Sequence, residues 1–488
     1  MKVSVIDLGY NSLKLVNYEV RRDKSFVAYG QQSVLAKVGE GLDQTGFLGA
    51  KPVRRTLKAL KQFRAIVDLE HSKHVLPVAT SAVREAGNRE EFLRQAYLET
   101  GFKFKVLSEK EEAVYAFEGA KGATSVRAGL FFDLGGGSLE MVIYSEPMIK
   151  KILSVPLGGL RLTDLYAKAD GSYTKKNYAR MRKRILELLP EKKHLPASKN
   201  LELVGVGGSV RAIARYDQMR RQYPLNKLHN YSMKKNAVEG VHRALRRMTL
   251  RTIRKNPAIG QERSQSIIAG SLVVHLLLME KAGFRKLIVS THGLRDGVLS
   301  AFLENPSSYR QRVVDKVLMR EGTTTRTKTS APERLAKSLL SHRNLTKREY
   351  AILSEALDHV LPSLPTYNPE TLFYIVLEAD SPLSHEDQLI MALSVARANG
   401  MRRTDWAQTS YKRLLDKKSM EMVKKISVLM QIAQLQQKTD IHLSMSSERG
   451  IPRLHIAQGK QHIPKVLVKD ILRDLEDLEG SFNLQLAM

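Results

Sequence analysis

The sequence predicts an α/β protein made of two duplicated lobes followed by a mainly helical C-terminal region, and three observations carry that reading. Gly129-Leu130-Phe131-Phe132 runs into Asp133-Leu134-Gly135-Gly136-Gly137-Ser138-Leu139-Glu140 and resumes as Met141-Val142-Ile143-Tyr144: strand, glycine turn, strand. Val3-Ser4-Val5-Ile6-Asp7-Leu8-Gly9-Tyr10-Asn11-Ser12 has the same grammar, and Leu13 to Tyr18 resumes an apolar strand. After Asn305-Pro306-Ser307-Ser308 the pattern turns mostly helical, from Pro332 to Leu435. The lobes are placed at 1-123 and 124-304 and the third domain at 305-488.

In the first lobe, short apolar runs predict strands at 2–7, 13–19, 27–34, 74–79 and 103–107. Longer stretches with helical apolar spacing predict helices at 51–67, 88–100 and 109–119. The pattern then restarts, with strands near 128–133, 140–145, 150–155, 201–206 and 286–290. Helices are predicted over 161–167, 174–189, 210–219, 233–248, 262–281 and 293–303. Such a repeat implies a cleft between lobes into which both Asp–Gly turns face. The third region opens with a basic, hydroxyl-rich stretch, Arg320 to Ser330, read as a linker. It continues with helices, strand-like runs near 440–445 and 452–457, and a last amphipathic helix from about Ile463 to Leu478.

Two further glycine turns open helices: Gly205-Val206-Gly207-Gly208-Ser209, and Gly293-Leu294-Arg295-Asp296-Gly297. Any one of the four reads alone as an ordinary turn. Together they form a pattern suited to anions, because glycine lets backbone N–H groups approach a phosphate without a Cβ in the way. Asp7 and Asp133 are matched positions, each closing a strand ahead of a phosphate-sized turn, and Glu140 follows the second turn. Carboxylates beside a phosphate cradle point to Mg²⁺ or to water activation.

Composition narrows the partners. The 488 residues are 43% hydrophobic, enough for real cores. With no cysteine, disulfide scaffolds, thiolate metal sites and cysteine nucleophiles are excluded. No segment approaches the ~20 apolar residues of a membrane span, and the first residues read as a strand rather than a signal segment, so a cytoplasmic protein is expected. The formal charge of +29 favours polyanions: nucleic acid, anionic lipid or polyphosphate. From Lys175 to Lys199 nine basic residues face only Glu187 and Glu191. Arg243, Arg247, Arg251 and Arg254 are spaced to share one helix face, which as readily serves as a solvated surface. No aromatic stacking pattern accompanies these clusters, so a general polyanion surface is a better reading than specific nucleic-acid readout.

These motifs resemble the exopolyphosphatase/guanosine pentaphosphate phosphohydrolase (Ppx/GppA) family, within the actin/sugar kinase/Hsp70 ATPase superfold. Ile6 to Ser12 resembles its IDxGSNS loop and Asp133 to Glu140 its DxGGGSxE loop. Ala79-Thr80-Ser81-Ala82-Val83-Arg84-Glu85-Ala86 resembles ATSAxREA, Leu107 to Ala113 the SGxEEA helix start, and Leu157 to Leu162 the LGxxRL segment. Gly205 to Ser209 resembles GxGGT, and Gly293 to Gly297 resembles GLREG. Seven blocks in order span about the first 304 residues. The chain departs from the pattern at Tyr10, in place of a small serine, at Glu109, in place of glycine, at Lys14, where arginine is common, and at Asp296, in place of glutamate.

The resemblance implies two ribonuclease H-like (actin-like) lobes and an HD-like helical C-terminal domain. The latter lacks an evident His-Asp metal pair, since Asp358-His359 has the wrong order. It implies a catalytic role for Glu112, which would orient or deprotonate water, while Glu111 beside it is read as solvated. Arg84 would grip phosphate with its planar fork. Asn11, Ser12 and the turn Gly135, Gly136, Gly137 and Ser138 would cradle phosphoryl oxygens. Gly207, Gly208 and Ser209 match a nucleotide loop of ATP-using relatives. Asp7, Asp133 and Glu140 would hold Mg²⁺ or another divalent cation. The expected activity is exopolyphosphatase, removing terminal phosphate from inorganic polyphosphate, by a homodimer. The alternatives are a pppGpp 5′-phosphohydrolase, a non-hydrolytic polyphosphate- or nucleic-acid-binding regulator and, least favoured, a kinase.

Overall fold

A computed structural model describes residues 1–22, 24–190, 201–277, 284–305, 345–357, 368–401, 410–438, 441–448, 451–458 and 485–487. The linker at 320–330, the Asp358-His359 pair, the helix expected at 463–478 and the end of the basic run toward Lys199 lie outside these residues. Two compact units are present: Met1–Tyr223 with Leu228–Thr323, and Pro224–Lys227 with Thr324–Met488.

The first unit holds two sheets. The first sheet comprises β1 (Lys2–Leu8), β2 (Leu13–Val20), β3 (Phe26–Val34), β4 (His74–Ala79) and β5 (Lys105–Val106), in the order β3-β2-β1-β4-β5. The β1–β2–β3 meander is antiparallel, and β4 and β5 add in parallel. Its helices are α1 (Leu42–Thr45), α2 (Ala50–Leu69), α3 (Ser81–Glu85), α4 (Arg89–Thr100) and α5 (Glu109–Lys121).

The second sheet repeats this plan with β6 (Ala128–Leu134), β7 (Leu139–Ser145), β8 (Met148–Val155), β9 (Glu202–Val206), β10 (Ser232–Lys234) and β11 (Lys286–Val289). Its order is β10-β11-β9-β6-β7-β8: the same antiparallel meander, the same two parallel additions, and β10 as an extra antiparallel edge. Around it lie α6 (Gly159–Tyr166), α7 (Lys175–Leu188), α8 (Gly208–Arg220), α9 (Lys235–Arg246), α10 (Leu250–Lys255), α11 (Ile267–Leu276) and α12 (Leu294–Glu304).

The first strand of each sheet is central and buried on both faces, so its alternating side chains serve two cores. In β1, Val3 and Val5 join Leu76, Val78, Leu299 and Phe302, while Ile6 and Leu8 join Leu60 and Phe63. In β6, Leu130, Phe132 and Leu134 join one cluster and Phe131 the other. Both strands are thereby clamped, and each carries its aspartate one residue before its end.

Two expectations change. The helix predicted over 233–248 yields its first residues to β10 and stops at Arg246, and Thr249 starts α10 by accepting from the Thr252 N–H. A hydroxyl that satisfies an otherwise orphaned helical N–H favours a new helix over a continued one. Arg243 therefore does not share a helix face with Arg251 and Arg254. The helix predicted from 262 starts at Ile267, because Ser264 and Ser266 turn their hydroxyls onto the Gln261 and Arg263 carbonyls. The block around Arg84 forms a short helix of its own, α3.

The second unit contains α13 (Lys347–Glu355), α14 (Pro369–Glu378), α15 (His385–Ala398), a 3₁₀ turn at Ser410–Leu414 and α16 (Lys417–Lys438). Thr346, Asn368 and Ser384 cap the first three helices, and Pro369 follows its cap at the position where a missing N–H costs nothing. The strand-like runs form β12 (Ile441–Glu448) and β13 (Ile451–Gln458), an antiparallel pair that β14 (Gln485–Ala487) joins in parallel. No helix among the described residues is long and apolar enough to cross a membrane.

Candidate active site

The site is built from two copies of one turn. In the first hairpin Asp7 faces Lys14 across the strands and Leu8 faces Leu13; in the second Asp133 faces Glu140 and Leu134 faces Leu139. Each turn is closed by one backbone bond of 3.1 Å, from Gly9 N–H to the Ser12 carbonyl and from Gly135 N–H to the Ser138 carbonyl. The carbonyls at the tips are spoken for in both. Those of Tyr10 and Asn11 accept from Gly39 and Lys37, and those of Gly136 and Gly137 accept from Leu160, Arg161 and Gly158. The N–H groups of Gly136 and Gly137 make no hydrogen bond among the described residues, which leaves two donors for an anion.

The two turns meet tip to tip. A Cβ on Gly136 would stand 3.0 Å from Cβ of Asn11, and one on Gly137 would stand 2.5 Å from the Tyr10 ring and 2.7 Å from Oγ of Ser81. Tyr10, the departure that threatened to fill the cleft, is instead buried in the core of the first lobe beside Leu42 and Leu160. Its hydroxyl donates to Asp43 at 3.1 Å, and Arg161, itself paired with Asp43 and Glu85, lies 5.3 Å from the ring centre. The missing side chains at Gly39 and Gly137 accommodate its bulk.

Glu112 projects from the first turn of α5. Here the sequence reading needs one correction: Glu111 is not a solvated neighbour. Ser108 and Glu111 form a reciprocal cap, with Glu111 accepting from Ser108 N–H at 2.9 Å and pairing with Lys105 at 3.0 Å. That cap fixes the start of the helix and leaves Glu112, one residue on, to turn inward, where it is 8% exposed. Arg84 meets it from α3: one Nη donates to the Glu112 carboxylate at 2.8 Å and to the Leu107 carbonyl at 2.9 Å.

Burial pushes Glu112 up to about 7; Arg84 opposes the rise, and the charges of Asp133 and Asp7 add to it. Asp133 is pushed up to about 6 by burial and by Asp7, against the pull of Lys14, Arg211 and Arg295. Glu140 rises well above the carboxylate range through burial and its neighbours Glu112 and Asp133, although Ser154 donates to it at 3.3 Å and Ser138 also bonds it. Glu112 and Asp133 therefore both sense the Asp7 charge, Glu112 senses Asp133, and Glu140 senses Glu112 and Asp133.

The cations around them were not picked out from the sequence, apart from Lys14. Burial and Arg295 bring Lys14 down to about 7. Burial holds Arg211, on α8, down at about 10, and it lowers Arg263 as well. Arg263 lies against Gly208, where a Cβ would come within 2.3 Å of its guanidinium carbon. Gly207 has φ +112, and a Cβ there would sit 2.4 Å from the Leu134 carbonyl, so the loop before α8 is fitted to the end of the Asp133 strand. Ser209 is buried behind that loop. Among the buried polar atoms, one Nη of Arg295 and Oδ1 of Asn11 have no hydrogen-bond partner. A desolvated arginine N–H without an acceptor is costly in a folded protein and is the natural partner of an oxyanion.

Among the described residues no three His, Asp or Glu side chains are close enough to hold a metal ion by themselves. Burial is the main cause of the rise in Glu112, Asp133 and Glu140, and the Asp133 charge adds to it at both glutamates, as Asp7 does at Asp133. An oxygen-only donor set of this kind fits a hard divalent cation whose shell is completed by phosphate oxygens and water.

A model of the Ppx/GppA phosphatase family matches residues 21–305, which leaves the Asp7 hairpin and all of the second unit except Pro224–Lys227 outside the match. Exopolyphosphatase 2 of Mycobacterium tuberculosis is 27% identical over 314 residues, covering 61% of this chain and 97% of that protein. A bifunctional 3-dehydroquinate synthase/phosphatase of Fusobacterium nucleatum is 26% identical over 311 residues, 61% of this chain and 46% of that protein. A solved exopolyphosphatase from Cytophaga hutchinsonii shares the fold with a TM-score of 0.58 at 23% identity, over 62% of this chain and 98% of its own. The Aquifex aeolicus Ppx/GppA family member does so with a TM-score of 0.52 at 26% identity, over 62% and 98%.

Proposed function

Because the chain belongs to the Ppx/GppA phosphatase family, we propose that it is an exopolyphosphatase, which hydrolyses the terminal phosphoanhydride bond of inorganic polyphosphate and releases orthophosphate. The observation that carries this reading is Glu112: a buried carboxylate raised to about 7, paired with Arg84 and feeling the charges of Asp133 and Asp7, the aspartates of the two meeting turns. A base with a pKa near ambient pH is well matched to taking a proton from water.

The terminal phosphoryl group lies at the meeting turns, its oxygens accepting from the N–H groups of Gly136 and Gly137 and from Asn11. Ser12 and Ser138 border it. Glu112 orients a water molecule against phosphorus and accepts its proton. Arg84 steadies the carboxylate and, with Arg295, offsets charge on the phosphoryl oxygens. Arg211, Arg263 and Lys14 receive the following phosphates beside the Gly207–Ser209 loop. Asp7, Asp133 and Glu140 would hold a divalent cation such as Mg²⁺, which would supply positive charge against the phosphoryl oxygens. A formal charge of +29 favours a long linear polyanion over a single nucleotide as substrate.

The second unit is assigned to an HD-like helical domain with a degenerate metal motif and is given no step of the chemistry. The proposal includes a cytoplasmic homodimer; light scattering then gives twice the 55.0 kDa of one chain, and the single-chain mass removes the dimer.

The test is phosphate release from long polyphosphate and from pppGpp, with Mg²⁺, by the wild type and Glu112→Gln. The expected result is release from polyphosphate, reduced by about 10²–10⁴ in the variant. Release from pppGpp alone moves the assignment to the nucleotide. Binding without release favours a regulator, and full activity in Glu112→Gln removes that residue from the mechanism.

A further inference from the structure

A cavity of about 490 Å³ lies on the second lobe, between the start of α7 and the α9–α10 junction. Lys175, Arg246, Arg247 and Arg251 line it. None of the four forms an ion pair among the described residues, and Arg247, Arg251 and Lys175 are solvent-exposed. The one acid in the lining, Asp170, is turned onto its own loop, accepting from Ser172 N–H at 2.9 Å and Ser172 Oγ at 2.6 Å. The break in the predicted arginine-rich helix makes this concavity, because ending α9 at Arg246 and restarting at Leu250 lets Arg247 and Arg251 flank a hollow.

Lys175 and Lys176 open α7, whose first turn contains no acid to offset them.

Arg246 covers one face of Tyr178 at 3.9 Å from the ring centre, and the Tyr178 hydroxyl bonds His242 at 2.7 Å. One face of that ring is thereby closed to base stacking, whereas a phosphate chain needs only the cations. We infer that this cavity is a second, non-catalytic site for a segment of inorganic polyphosphate, held by Lys175, Arg246, Arg247 and Arg251. The inference rests on the proposal that polyphosphate is the substrate: a chain held here and at the reaction centre gains from effective concentration, whereas a short chain does not.

The test is the exposed double variant Arg247→Ala/Arg251→Ala. Long-chain polyphosphate is expected to bind about tenfold more weakly by calorimetry at low salt, with KM raised in proportion. The kcat, and the KM for tripolyphosphate, stay at wild-type values. Unchanged long-chain affinity overturns the site, and so does an equal loss for tripolyphosphate, which would place the arginines at the reaction centre. A variant that loses binding of single-stranded RNA but keeps polyphosphate affinity overturns it in favour of nucleic acid. If the wild type releases no phosphate yet the variant loses long-chain binding, the cavity stands and the hydrolase reading falls.

Discussion

The two hairpins of the first unit share a backbone and differ in charge. Each is closed by the same 3.1 Å bond and hangs from the same kind of strand, clamped between two cores. The position opposite the aspartate is Lys14 in one and Glu140 in the other. The tip is Tyr10-Asn11 in one and Gly136-Gly137 in the other. The first jaw thus brings its own counter-charge and side-chain bulk. The second brings two carboxylates and bare backbone. One frame placed twice thereby sets a cationic residue and an anionic one at matched positions, which suits the proposed reaction of a phosphate chain, a cation and a water molecule.

The largest effect in this comparison belongs to the second jaw. Asp133→Asn is expected to lower kcat/KM by about 10³, while folding gains. The folded form of Asp133, at about 6, lies above its ordinary value, so the ionised group costs stability from about pH 6 upward and nothing once both folded and unfolded forms are protonated. Removing the charge stabilises the protein on the order of 2–3 kcal/mol at pH 8, and the gain falls to about half a kcal/mol by pH 4 as the folded and then the unfolded carboxyl is protonated. Thermal unfolding of both proteins across that range checks it. A variant that is less stable at pH 8 would mean that Asp133 is held by its cations rather than strained by burial.

The next effect concerns the contact between the jaws. Gly137→Ala drives a methyl group into the Tyr10 ring and Ser81, at an expected cost of about 1–3 kcal/mol. In a Tyr10→Ser background most of that cost should disappear, because the ring is the nearest obstacle. A double-mutant cycle read by denaturant unfolding measures the coupling. Additive costs would show that the turns do not press on one another, and the tip-to-tip geometry would fail.

Sequence made the hairpins visible because Asp-x-Gly between apolar runs is a local signal, and it made Glu112 and Arg84 visible through blocks of residues adjacent in the chain. The rest depends on contacts across long separations. Arg263 stands in a stretch with helical spacing, and only the fold shows its guanidinium resting on Gly208. The space for Tyr10 comes from Gly39 and Gly137, one near it in the chain and one far away. The arginine cluster was misread for a local reason: counting by fours from Arg243 passes straight through Thr249, whose hydroxyl starts a new helix. Glu111 was misread likewise, since its role as the partner of Ser108 is a capping geometry rather than a charge pattern.

The smallest effect isolates Lys14 from Glu140, the two residues that occupy one register position. In the proposed mechanism Glu112 acts as a base once it has lost its proton, so kcat/KM is expected to rise as pH passes upward through about 7. Lys14 counts as a cation only while it keeps its proton, which burial and Arg295 release at about 7. The two limbs define a bell with its maximum near neutrality. Arginine stays protonated throughout this range, so Lys14→Arg is expected to abolish the alkaline limb and leave the acid limb in place, with about a tenfold gain over wild type at pH 8. An alkaline limb that persists in Lys14→Arg would assign it to another group, and the first jaw would then be a positioning device rather than a source of charge.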